Sequence, residues 1–94
     1  MPTEDNGIGE RLKSAREMAG MSRRDLSLLA GLAQAVVGMI ERNPNTKPTA
    51  DTMIRLAETL GVSLDWLLGG DEERAPTAEA VIAAVEKARA AQAA

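Results

Sequence analysis

The chain has no cysteine and no histidine. Those two absences remove disulfides, thiol nucleophiles, zinc–thiolate sites and imidazole bases together. A metal ion would have to rely on carboxylates alone, and no segment has the spacing of a calcium loop. No cofactor is expected, and a chain so short of catalytic side chains argues against an enzyme. Phe and Tyr are missing too, which leaves a single Trp as the only aromatic residue. The core must therefore be built from Leu, Met, Val, Ile and Ala, a set that suits packed helices better than strands. No apolar run approaches the roughly 18 residues of a membrane span. Residues 1–7 have neither the basic start nor the apolar stretch of a signal peptide. A cytoplasmic protein with no membrane partner is the expectation.

What is present fits one small domain with a tail. Apolar residues make up 45% of the 94, enough for a compact core. The net charge of −3 does not advertise nucleic-acid binding. It does not forbid it either, because a basic stripe acts locally on an acidic protein. Residues 1–70 carry eight basic and nine acidic side chains, against three and five in residues 71–94, so the middle of the chain is nearly neutral.

One stretch, Ser22 to Arg42, organises the rest. Ser22 is a natural N-cap, and Asp25 three positions on is placed to complete a capping box. Leu26, Leu29 and Ala30 put one stripe of this helix inward, and Gly31 supplies the positive φ that ends it. A second helix over residues 34–42 turns Val36, Val37 and Ile40 to one side. Gln34, Ala35, Gly38, Met39 and Arg42 project from the other. Helix, glycine turn and helix with a free outer face is the helix-turn-helix plan.

The flanking segments read as supports. A first amphipathic helix runs from Ile8 to Ala19 on the stripe Ile8, Leu12, Ala15 and Ala19, with Asn6 or Thr3 as its cap and Gly20 as its end. Arg16, near the buried side of that helix, is within reach of Glu41 for a partly buried ion pair, with two solvated charges that never meet as the alternative. The segment Asn43-Pro-Asn-Thr-Lys-Pro48 is a turn-rich loop, since Pro44 and Pro48 forbid continued helix. Thr49 caps a fourth helix on Met53, Leu56, Ala57 and Leu60, which Gly61 stops. Ser63 caps a short fifth, Leu64 to Leu68, with Trp66 as its large core residue. Residues 71–76 form a charged linker. Thr77 then caps an alanine-rich helix, Ala78 to about Ala90, with Val81, Ile82, Val85 and Ala88 on one side. Alone, a helix of that length is marginal, so it must dock or fray.

These residues carry a family resemblance. From about Ile8 to Gly70 the chain resembles the Cro/C1-type (Xre-like) helix-turn-helix family of phage repressors and bacterial regulators. The match takes in Ile8-Gly-Glu-Arg-Leu-Lys13, the Ser22–Gly31 helix, Ile40-Glu-Arg42 and, most specific, Leu56-Ala-Glu-Thr-Leu-Gly-Val-Ser-Leu-Asp-Trp-Leu-Leu-Gly-Gly70. The resemblance implies an all-α, five-helix lambda-repressor-like domain over residues 8–70; beyond it, the alanine-rich composition of residues 77–94 makes a C-terminal helix for dimerisation or docking the expectation. It also implies an Arg16–Glu41 bridge, a third helix in the major groove of double-stranded DNA, and homodimers on palindromic operators. Position by position, it puts Gln34, Ala35, Gly38 and Met39 on base-reading sites. Ser22, Arg23, Arg24, Arg42, Asn43, Thr46 and Lys47 fall along the phosphates, and Leu64 falls where the family makes dimer contacts.

The chain departs from the pattern in one direction. Arg23 replaces the usual Gln, Ala33 replaces the polar cap of the third helix, and Ser27 stands at a site that is commonly Ala. The reading face is unusually apolar, and Leu28 and Leu29 occupy positions that are commonly polar. A DNA-binding regulator, a repressor associated with the nucleoid, is the leading expectation. A protein-binding adaptor using Leu28, Leu29 or the C-terminal helix is the alternative, as is the antitoxin of a toxin–antitoxin pair.

Overall fold

Hydroxyl caps and left-handed glycines decide where the helices begin and end. The computed structural model describes residues 7–93. They form α1 (Ile8–Met18), α2 (Arg23–Leu29), α3 (Val36–Arg42), α4 (Ala50–Leu60), α5 (Leu64–Gly69), a 3-10 turn (Glu72–Arg74) and α6 (Ala78–Ala93), with no strand among the described residues. The hydroxyls of Ser22, Thr49 and Ser63 accept from the N–H groups of Asp25 (2.9 Å), Thr52 (3.2 Å) and Trp66 (3.2 Å). Thr77 does the same for Ala80 at 3.2 Å. Each satisfies one N–H that the first helical turn leaves without an intrahelical partner.

Two expectations about caps change. Only the Ser22 half of the capping box forms; among the described residues the Asp25 carboxylate makes no bond back. The cap of α1 is Gly7, with no side-chain bond; Asn6 and Thr3 lie outside the described residues.

Leu12, Leu26, Val37, Leu56, Leu60 and Leu67 meet in a core that Trp66 fills from α5. Val81 and Val85 belong to the same core, so α6 packs on its own chain, against α4, α1 and α2. It runs to Ala93, three residues beyond the expected end, and Gln92 Nε2 donates to the Leu29 carbonyl at 2.9 Å. Ile82 is exposed instead of facing inward, because Val81 and Val85, four apart, already define the buried stripe. Gly61 fixes where α6 crosses α4. Its φ is +67°, and an added Cβ would lie 2.5 Å from the Cβ of Ala84.

Two further contacts hold α1 against the domain. At Gly9 an added Cβ would lie 2.7 Å from the Ile40 carbonyl oxygen, so α1 and α3 approach at backbone distance. Arg11 donates from Nε to the Leu67 carbonyl (2.9 Å) and from Nη2 to that of Leu68 (3.0 Å). A cation there satisfies carbonyls at the negative end of α5.

Candidate nucleic-acid interface

The geometry of α3 is set from beneath by one serine. Helix α3 begins at Val36, not at Gln34: Ala35 is its N-cap residue and makes no side-chain cap bond. Gln34 and Ala35 therefore sit in the turn that leads into the helix. The missing local cap is supplied from α2. The fully buried Ser27 hydroxyl donates to the Arg23 carbonyl and accepts from the Val37 N–H, both at 3.0 Å. A serine at a site that is commonly Ala gives no local sign of this bond, which joins residues ten apart in sequence.

A charged hub ties the three N-terminal helices together. Glu41, 2% exposed, receives Arg16 Nε at 2.7 Å and Arg16 Nη2 at 3.0 Å. The third corner of the Arg16 fork donates to the Met21 carbonyl at 2.7 Å. These bonds to Glu41 hold the Arg16 pKa above its ordinary value, with burial acting in the opposite direction. Arg23 Nε also donates to Glu41, at 3.0 Å, while its side chain remains 44% exposed. One buried carboxylate thus serves two guanidiniums.

Outside this hub lies an open groove lined by Arg23, Arg24, Gln34, Ala35, Gly38 and Arg42. Arg24 Nε donates to Gln34 Oε1 at 2.9 Å, which orients the amide and turns its NH2 away from the arginine. Arg42 lies folded over Gly38, whose added Cβ would be 3.1 Å from Arg42 Nη1. Gly38 is therefore buried, although it lines the groove. Met39, 55% exposed, stands on the neighbouring flank, above a shallow apolar crease that includes Val36, Thr46 and Lys47.

The remaining predicted residues lie at the margins. Asn43 Oδ1 accepts from the Asn45 N–H at 3.0 Å, and the Thr46 hydroxyl donates to the Met39 carbonyl at 3.3 Å, so both shape the loop after α3. Ser22 caps α2. Leu64 is 36% exposed on α5, outside the groove. Among the described residues nothing covers the groove: α6 reaches α2 at Leu29, and none of its described residues lines it.

A family model described as Helix-turn-helix matches residues 12–67. The chain belongs to the Cro/C1-type helix-turn-helix family. The domain is 35% identical over 66 residues to the HTH-type transcriptional regulator SinR of Bacillus licheniformis, which covers 70% of this chain and 60% of that protein. It is 31% identical over 77 residues to the HTH-type transcriptional regulator DicA of Escherichia coli, covering 82% and 56%. The HTH-type transcriptional regulator ImmR of Bacillus subtilis is 34% identical over 65 residues, covering 69% and 50%. The helix-turn-helix chain thus spans between one half and three-fifths of the length of these relatives. No solved structure matches it significantly. Membership in this family sets the chain among binding domains, not catalysts. No helix of the described residues is long and apolar enough to cross a membrane.

Proposed function

We propose that the chain is a sequence-specific, double-stranded DNA-binding transcriptional regulator, a repressor that binds a palindromic operator as a homodimer and resides with the nucleoid in the cytoplasm. The observation that carries this reading is the groove beside α3. Three arginines and a glutamine converge on one open face, while Glu41, the nearest acid on α3, is buried and already paired by Arg16. The overall charge of −3 thereby coexists with a locally positive face. The relatives named as transcriptional regulators support it.

In this reading α3 and the turn before it enter the major groove. Gln34 suits adenine, accepting from N6 and donating to N7, and Ala35 and Met39 suit thymine methyls. The small Gly38 leaves room for the overlying Arg42 side chain to lie close against the helix. Arg23, Arg24, Arg42, Lys47, Asn43, Thr46 and the N-terminus of α2 at Ser22 lie along the phosphates, which set register without reading sequence. Two-fold related copies, in contact through Leu64, address half-sites about 34 Å apart.

Fluorescence titration of random duplex tests the reading. Binding should weaken steeply with salt, with a log–log slope of about −0.9 per phosphate neutralised. Arg42→Glu should abolish binding, whereas Gln34→Ala should leave random-duplex binding intact and flatten preference among sequences. Unmodified protein that ignores duplex even at low salt would move the function to protein binding. The exposed Leu28, beside a cleft lined by Met21, Leu29, Arg89 and Gln92, favours that second reading.

A further inference from the structure

The three groove arginines are held differently. Arg23 Nε is engaged by Glu41, and Arg24 Nε by Gln34. Arg42 makes no ion pair or hydrogen bond among the described residues, so its donor fork remains available. Its position is nonetheless defined. Helical side chains lean toward the N-terminus and over the residue four earlier, which here is Gly38. An added Cβ at Gly38 would lie 3.1, 3.3 and 3.4 Å from Arg42 Nη1, Nη2 and Cζ. Gly in a helix interior is the least favourable choice short of Pro. In this helix its bare Cα lets the guanidinium lie flat along the reading face, beside Gln34 and Ala35, where a methyl would push it outward by a few tenths of an ångström. An arginine at a helix end that pointed onward would reach the DNA backbone; this one points back into the groove.

We propose that Arg42 reads a guanine, donating its two parallel N–H groups to O6 and N7, and that Gly38 admits it to that position. The inference rests on the DNA-binding reading above and reassigns Arg42 from phosphate clasp to base reader. A planar fork with unused donors matches the O6/N7 pair of guanine, the base edge that presents two acceptors in the major groove. Gln34, oriented by Arg24, takes a neighbouring base of the same half-site. Gly38 then serves specificity through Arg42 and makes no base contact of its own.

The test is selection of bound sites from a random duplex pool with the unmodified protein, Arg42→Ala and Gly38→Ala, followed by titration of the selected site. The unmodified protein should fix one guanine per half-site and lose about tenfold in affinity when that base is replaced. Replacing it with 7-deazaguanine, which lacks the N7 acceptor, should reproduce part of that loss. Arg42→Ala should become indifferent at that one position, and to 7-deazaguanine there, while keeping its other preferences. Gly38→Ala should show a smaller loss at the same position, because its methyl displaces the guanidinium. The proposal is overturned if Arg42→Ala retains the guanine preference, or weakens all sequences equally while the salt slope falls by about one, the signature of a phosphate contact. Absence of any duplex binding by the unmodified protein overturns the DNA-binding reading itself, and this assignment with it.

Discussion

The hydroxyl of Ser27 does across two helices what a capping residue normally does within one. Removing it in Ser27→Ala leaves the Val37 N–H buried with no acceptor, at a cost of about 1–3 kcal/mol. Thermal unfolding should then shift down by about 5 °C or more for a domain of this size; an unchanged midpoint would mean that another acceptor takes over. The hub is a larger commitment. Glu41→Ala strands the largely buried Arg16 and should cost about 3–5 kcal/mol in denaturant unfolding, a large part of the stability of a small domain. Because the Arg16 pKa is raised, its side of this contribution is complete below the ordinary guanidinium value and fades only as pH climbs beyond it. Titration of Arg16 therefore leaves the hub intact across neutral and mildly alkaline pH.

At the level of elements, the order of helices was legible because Ser22, Thr49, Ser63 and Thr77 announce their starts and apolar residues recur at three and four. Gly31, Gly61 and Gly70 mark ends in the same way. The docking of α6 was not legible. An alanine-rich helix has little periodic contrast, and its seat is set by the absence of a side chain at Gly61. That seat gives a test: Gly61→Ala adds a left-handed penalty of about 1–2 kcal/mol and drives a methyl into Ala84. Amide hydrogen exchange should then rise in α6 far more than in α3. Equal protection would show that the crossing adapts. The sequence pattern starts α3 two residues early, at Gln34 instead of Val36, for a related reason. Gln34 and Ala35 have helical company in sequence, but the acceptor that launches the helix comes from another element. The hydrogen bond from Arg24 to Gln34 and the clasp of Arg11 on α5 escaped the sequence for the same cause, since neither follows a local period.

Across the whole molecule, the arginine-lined groove opens beside α3 while the apolar Leu64 and Leu68 are exposed on α5. Leu64→Glu should convert the proposed dimer to monomer in sedimentation without altering the helical circular dichroism. An unchanged mass would place self-association elsewhere, with Ile82 on α6 as the next surface to probe. The pairing at Glu41 has one more effect at this scale. Two cations share one anion, so the scaffold holds a spare. If a polyanion draws Arg23 outward, Arg16 stays behind and the interior remains neutral. The brace between the helices is thus built to release one hand without loosening its grip.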